Sequence, residues 1–346
     1  HGTVLMVFED VHWADEGLLD FIEELVERTT QHPILVVALA RPDLLERRPD
    51  WGSARRRSLL MHLSRIDDGS MRELVAGLAP GIPDEVVARI AERTAGVPLH
   101  AVEFVRMLMN SGRLVPDGDG YRLEGDADEL AIPDSVSAVI GARLDRLDQV
   151  ESSLIQDASV LGMSFTLGGI AELRDTDPAD IEPTLRRLVR ADILEVDEDP
   201  RSPERGQYRF VQGLIREVAY GRLSRADRVS RHLEIARRYE ELGDVELAGV
   251  VASHYASAAA SDPANVELAQ RARQSTIAAG ERAAALHSNA QAVALYQQAM
   301  AMMDDPIDVA RLKIAAVEQM MHTGRMDLAT AMGHEALATC REFGDG

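Results

Sequence analysis

Val4-Leu5-Met6-Val7-Phe8-Glu9-Asp10-Val11-His12-Trp13-Ala14-Asp15 decides how this sequence is read. Five apolar residues in a row, Val4 to Phe8, predict a strand buried on both faces of a parallel sheet. Two adjacent carboxylates, Glu9 and Asp10, close the strand, at the end where open α/β sheets hold their ligands. Taken alone, the pair is equally well described as a buried strand that ends in two solvated acids.

The whole run carries more than the pair does. It resembles the Glu-Asp-x-His-Trp-Ala-Asp segment of a family of bacterial AAA-type signalling ATPases. These belong to the STAND class of regulators and are often fused to adenylate cyclase, kinase or LuxR-type DNA-binding domains. The resemblance implies the Walker B strand of a P-loop nucleotide hydrolase. Glu9 would then lie near the Mg²⁺ of bound ATP, and Asp10 would orient the attacking water.

A single lysine bears directly on that implication. A phosphate loop of the form G-x-x-x-x-G-K-[ST] needs a lysine to reach the β and γ phosphates. The only lysine is Lys313, in the helical pattern Ala310-Arg311-Leu312-Lys313-Ile314 with no glycine loop before it. This sequence therefore contains no P-loop. The expectation is a fragment whose phosphate loop lies upstream and which does not by itself bind ATP tightly.

Composition narrows the class further. The chain has 346 residues, 46% hydrophobic and 27% charged, which suits two or three soluble globular domains. No apolar run is long enough to span a bilayer, and there is no signal peptide, so a cytoplasmic location is expected. A lone cysteine, Cys340, excludes an intrachain disulfide framework and a cysteine-rich metal site. A net charge of −21 repels a phosphate backbone, which argues against direct DNA binding by this chain.

After Asp15, a candidate N-cap, residues 16–30 read as an amphipathic helix with Leu18, Leu19, Ile22, Leu25 and Val26 on one face. Ile34 to Ala40 is a second apolar run and predicts another buried parallel strand, ending in Arg41-Pro42. Related ATPases place a polar sensor at the end of the neighbouring strand, and Arg41 resembles it. The other reading of Arg41 is a surface arginine fixed by the following proline. Leu59-Leu60-Met61-His62-Leu63 predicts a short strand.

Helical patterns then run from 67 to 111, interrupted by Gly96-Val97-Pro98. A helical lid with a Gly-x-Pro turn is what STAND ATPases put over the adenine, so the resemblance implies that Gly96 and Pro98 lie near the base. As a bare tripeptide it is a helix stop and restart. Arg113 to Leu123, with Pro116-Asp117-Gly118-Asp119-Gly120 at its centre, reads as a hairpin, followed by an acidic connector at 125–131.

Helical patterns at 135–147, 150–161 and 181–189, then short strands at 193–196 and 208–211, describe a winged helix. The family likeness extends to Ile132-Pro133-Asp134-Ser135-Val136, Ala142-Arg143-Leu144-Asp145-Arg146-Leu147 and Ala158-Ser159-Val160-Leu161-Gly162. Arg186, Arg187 and Arg190 are candidate phosphate contacts if this domain reads DNA, but the acidic chain favours transmission of the nucleotide state. Relatives carry histidine in a Phe-x-His-x-Leu-Ile-Arg segment where this chain has Phe210-Val211-Gln212-Gly213-Leu214-Ile215-Arg216. In some STAND ATPases that histidine touches the diphosphate of ADP. Gln212 in its place can donate a hydrogen bond without carrying charge, which implies a resting state held less firmly.

From about 224 the chain is helical and rich in alanine. Ala292 pairs with Ala329, and Ala299 with Ala336, in a repeat with a spacing of 37, similar to tetratricopeptide repeats. Leu242-Gly243-Asp244 and Gly344-Asp345 resemble repeat turns, and Met300, Met302, Met303, Met320 and Met321 read as core filler. The scattered histidines offer no zinc spacing, and no cyclase or kinase motif occurs.

The expected fold class is mainly α with a partial α/β (P-loop NTPase) N-terminal part, in four parts. These are half an AAA core at 1–66, a helical lid with its hairpin at 67–128, a winged helix at 129–223, and an incomplete tetratricopeptide-like solenoid at 224–346. The expected function is that of a nucleotide-dependent signalling ATPase using ATP/ADP and Mg²⁺, acting on transcription or cyclic-nucleotide signalling. Its repeats would meet a protein partner or a small-molecule inducer, and ATP would drive self-association. The alternatives are a non-hydrolysing interaction scaffold and, third, a winged-helix DNA-binding regulator.

Overall fold

Strand β1 (Val4–Phe8) pairs in parallel with β2 (Ile34–Ala38), in register from Val4↔Ile34 to Phe8↔Ala38. Helix α1 (Glu16–Arg28) joins them, and the Asp15 carboxylate caps it by accepting from the Leu18 N–H at 2.8 Å. Leu19 and Ile22 of α1 pack with Phe8, Val36 and Ala38 and with Leu44 of α2 (Asp43–Arg47). Arg48 adds ion pairs to Glu16, Asp20 and Glu23, so one guanidinium ties the chain after α2 to three acids of α1. The structure is a computed structural model that describes residues 3–29, 32–52, 58–125, 135–197, 202, 205–322 and 326–343.

Two expectations for this segment are corrected. The strands are covered on one face only, since Leu5, Val7 and Leu35 on the other face stay half exposed or more. Alternation along each strand explains the split: one set of side chains meets α1, and no described element lies over the other set. Leu59 to Leu63 form no strand, and Leu59 is 84% exposed. A strand exists only through its ladder, and among the described residues β1 and β2 have only each other as partners.

Next come α3 (Asp68–Leu78), α4 (Asp84–Thr94) and α5 (Pro98–Asn110). Their core is Met71, Val75, Val86, Ile90, Phe104 and Leu108. The hairpin β3 (Leu114–Asp117) and β4 (Gly120–Leu123) forms with Leu114 opposite Leu123 and turns at Gly118-Asp119. The expected acidic connector lies outside the described residues from 126 on, as do Ile132, Pro133 and Asp134.

Helices α6 (Val136–Leu144) and α7 (Gln149–Leu161) follow, the latter opened by a capping box in which Asp148 and Glu151 each accept the other's backbone N–H. Then come β5 (Ser164–Phe165), α8 (Leu167–Leu173), α9 (Pro178–Arg190), β6 (Leu194–Val196), β7 (Tyr208–Phe210) and α10 (Gly213–Gly221). The three strands form an antiparallel sheet in the order β5-β7-β6. Strand β5 and helix α8 were not read from the sequence. Both are too short for a periodic pattern to mark them.

The remaining elements are helices: α11 (Arg225–Leu242), α12 (Ala248–Ser261), α13 (Val266–Ala285), α14 (Asn289–Met300), α15 (Pro306–His322) and α16 (Met326–Phe343). From α12 on, each packs against the next. Ala292, Ala299, Ala329 and Ala336, the residues of the 37-residue repeat, are all buried. Small side chains at these contacts let the helix axes approach closely. Met320 is core, but Met321 is more than half exposed and so is no filler. Gly243 turns the chain with φ 64, whereas Gly344 and Asp345 lie outside the described residues.

By contacts the chain divides into two compact units, His1–Met61 with His232–Gly346, and His62–Arg231. The described residues are mostly helical, and none of their helices is long and apolar enough to cross a membrane.

Two predictions follow from buried detail in the helical region. His232 and His254 face each other with Nδ1 atoms 2.8 Å apart, so one ring donates and the other accepts. Burial lowers His254 from 6.5 to about 4. The unfolded chain therefore takes up this proton first, and the stabilisation is whole above pH 6.5 and lost as the pH falls towards 4. Thermal unfolding should show a decline of about 3 kcal/mol over that window, and His254→Gln should flatten it. At Gly280 in α13, an added Cβ would stand 2.6 Å from Cε1 of the buried Tyr296. Gly280→Ala should therefore cost about 1–3 kcal/mol by urea titration despite its better helix propensity.

Candidate functional site

The ends of β1 and β2 bring three of the sequence-selected residues to one sheet edge. Parallel pairing continues past the strands, with the Leu39 N–H donating to the Phe8 carbonyl at 2.8 Å and Val11 N–H to the Leu39 carbonyl at 3.0 Å. Glu9 and Asp10 therefore leave the sheet beside Ala40 and Arg41, and all three named side chains belong to exposed residues. Asp10 sits in the left-handed region, φ 52 and ψ 33, and starts a 3₁₀ turn over Val11–Trp13. Arg47 fastens that turn, donating to the His12 carbonyl at 3.2 Å and the Ala14 carbonyl at 2.6 Å.

His12 lies within the Glu-Asp-x-His-Trp-Ala-Asp segment, which gives it no role of its own. It is buried, and its Nδ1 lies 3.8 Å from Asp10 Oδ1. The available signal was its place in that segment, two residues after a candidate acid.

Gly96, Pro98 and Gln212 belong to the other compact unit. Gly96 has φ +77, and a Cβ there would stand 2.6 Å from the Ile66 carbonyl oxygen. The Ile66 N–H in turn donates to the Gly96 carbonyl at 3.0 Å. Glycine is thus required by this close approach as well as by its backbone angle. Pro98 opens α5 at a position where its missing N–H costs nothing, and it is exposed. His100, one turn into α5, is held below its ordinary value by burial, with the Arg65 charge acting in the same direction.

Gln212 caps no helix amide; its Nε2 donates to Glu103 Oε1 at 2.8 Å, across 109 residues of sequence. Glu103 is 1% exposed, and Nη1 atoms of Arg106 and Arg143 each stand 3.5 Å from it. Arg143 also donates to the Ala191 carbonyl at 2.8 Å, and Arg106 pairs with Asp192 at 2.9 Å. This buried carboxylate links α5, α6, the turn before β6 and the start of α10. A shallow recess with a volume of about 20 Å³ opens beside it, lined by Arg106, Arg143, Arg146 and Asn110. Its guanidinia are engaged by protein oxygens, Arg146 with the Asn110 carbonyl at 3.0 Å.

The arginines weighed as phosphate contacts are partly committed too. Arg186 pairs with Glu182 at 2.6 Å, and Arg187 pairs with Glu151 at 2.7 Å. Among the described residues no three metal-ligating side chains gather. Two adjacent exposed carboxylates still fit Mg²⁺, which takes one or two protein oxygens and completes its shell with phosphates and water.

No family model matches the chain. Over 241 residues it is 27% identical to an uncharacterised protein of Rhizobium meliloti (strain 1021), an overlap that covers 67% of this chain and 22% of that one. Among solved structures it is similar to a Signal Transduction ATPase with Numerous Domains (STAND) protein with a tetratricopeptide repeat sensor from Pyrococcus horikoshii. That likeness has a TM-score of 0.43 at 13% identity and covers 99% of this chain and 50% of the other. The chain thus spans about a fifth of the first protein's length and about half of the second's.

Removing the buried carboxylate tests the node. Glu103→Ala strands Arg143 in a dry site and should cost about 3 kcal/mol or more in chemical denaturation. Gln212→Ala removes one hydrogen bond and should cost about 1 kcal/mol.

Proposed function

We propose that this chain is part of a nucleotide-switched signalling ATPase of the STAND class, and that the β1–β2 edge is its hydrolytic half-site. The observation that carries this reading is the placement of Glu9 and Asp10 at the C-terminal end of β1, with Arg41 at the same edge of the paired strand. Open α/β sheets bind ligands at that end because the strand termini and loops there face a crevice. Glu9 would help hold Mg²⁺, Asp10 would accept a hydrogen bond from the attacking water, and Arg41 would meet the γ-phosphate. Bound Mg²⁺ would supply charge neutralisation on the transferred phosphoryl group. No phosphate loop occurs in this sequence, so the β and γ phosphates need a loop from outside it.

Gly96 and Pro98 would face the base, and the exposure of Pro98 supports contact there. The order α7-β5-α8-α9-β6-β7, with its three-stranded sheet, supports the winged-helix reading of this region. Gln212 would report on the diphosphate only by exchanging its bond to Glu103 for one to the ligand, which couples nucleotide state to the node joining α5, α6 and α10. Transmission through that node is favoured over DNA reading by the net charge of −21 and by the pairing of Arg186 and Arg187.

A second reading, an interaction scaffold, draws on the successive packing of α12 to α16 and the buried alanines of the repeat. Arrays of this kind offer extended surfaces to a protein partner or a small inducer.

Fluorescent-ATP titration with Mg²⁺ separates the two readings. The complete protein should bind, this chain alone should bind weakly or not at all, and Asp10→Asn in the complete protein should bind normally while losing turnover. Equal turnover in Asp10→Asn refutes the hydrolytic role, and absence of binding in the complete protein leaves the scaffold.

A further inference from the structure

A buried imidazole carries two ring nitrogens that each call for a partner. The His12 side chain is 1% exposed, yet neither Nδ1 nor Nε2 makes a hydrogen bond among the described residues. The carboxylate at ion-pair distance is that of Asp10, whose Oδ1 lies 3.8 Å from Nδ1, about 1 Å beyond a hydrogen bond.

The two side chains differ in freedom. His12 sits on a turn fastened by the Val11–Leu39 backbone bond and by the Arg47 guanidinium, which holds the carbonyls of His12 and Ala14. Its backbone is thereby held, and its ring is packed out of solvent. The Asp10 side chain is 60% exposed and makes no cap hydrogen bond. Rotation about its own side-chain bonds closes the gap to Nδ1. The left-handed backbone of Asp10 costs about 1 kcal/mol or more for a residue with a Cβ, and here it aims the side chain back towards the ring two residues on.

We propose that His12 is the positioning residue for Asp10. The Nδ1–H of His12 donates to Asp10 Oδ1 and fixes the carboxylate in one orientation, leaving Oδ2 to accept a hydrogen bond from the attacking water. No proton changes hands between the two residues. The catalytic consequence rests on the hydrolytic reading of Asp10 given above, whereas the pairing is a property of this chain alone.

The pairing is read in this chain by long-range ¹H–¹⁵N spectra of the histidine rings, with His12 assigned through His12→Asn. The wild type should carry its ring proton on Nδ1, and Asp10→Ala should shift it towards Nε2. Identical His12 ring-nitrogen shifts in the two proteins would overturn the proposal.

The role is read in the complete protein. His12→Phe should lower kcat on the order of 100-fold with nucleotide affinity unchanged. His12→Asn, whose amide nitrogen falls near the place of Nδ1, should restore most of the rate. Equal losses in His12→Phe and His12→Asn make the ring a packing element and overturn the positioning role. If Asp10→Asn keeps full turnover while the ring responds to Asp10→Ala, the hydrolytic reading fails and the pairing stands. If Asp10→Asn is inactive and His12→Phe is not, the proposal fails and the hydrolytic reading stands.

Discussion

Parallel pairing of β1 with β2 is the constraint on which the N-terminal segment depends. Parallel strands point their C-terminal ends the same way, so residues following Phe8 and Ala38 are forced to one edge. The connection must then travel back along the sheet, which α1 does, and its Leu19 and Ile22 cover one sheet face. Every feature of the candidate half-site follows from that arrangement. Glu9 and Asp10 end one strand, Arg41 follows the other, and α2 closes behind them with Arg47 and Arg48 pairing to α1 and its preceding turn.

Elsewhere order comes from charges placed where water is scarce. Glu103 sits among Arg106, Arg143 and Gln212, and Asp157 lies buried between Arg174 and Arg231. Burial raises the Asp157 carboxyl, and the two guanidinia oppose that shift. Such groups add modest net stability, because desolvation offsets most of the attraction. Their effect is specificity, since a slipped helix leaves an ion unpaired in a dry place. Arginine suits these sites because its planar fork meets carboxylates and carbonyls together, as Arg143 does. The same economy makes His12 conspicuous, a buried polar ring whose nitrogens lack what Glu103 and Asp157 have.

The helical region works on a different principle. Alanines and Gly280 sit among its larger apolar side chains such as Tyr296 and Leu312, so the helices approach closely and stability is spread over many small contacts. The His232–His254 pair adds a buried polar contact to that interior. An array built in this way is tuned by shape more than by charge.

Local pattern was enough for most helices, for the β3–β4 hairpin with its Gly118-Asp119 turn, and for the Asp15 cap, because each depends on residues close in sequence. Spacing alone also marked the alanines of the repeat, and the sequence by itself fixed the absence of a phosphate-loop lysine. The fate of Leu59 to Leu63 was not legible, since a strand needs a partner that composition does not supply. Nor was the one-sided cover of β1 and β2, because an apolar run reads the same whether one face is met or both. The node around Glu103 and the setting of His12 belong to the tertiary structure outright. Gln212 reaches Glu103 across 109 residues, and the approach of Ile66 to Gly96 is of the same long-range kind. Sequence determined which residues could carry charge and turn the chain; only packing decided which of those charges lost their water, and so which ones had to find each other.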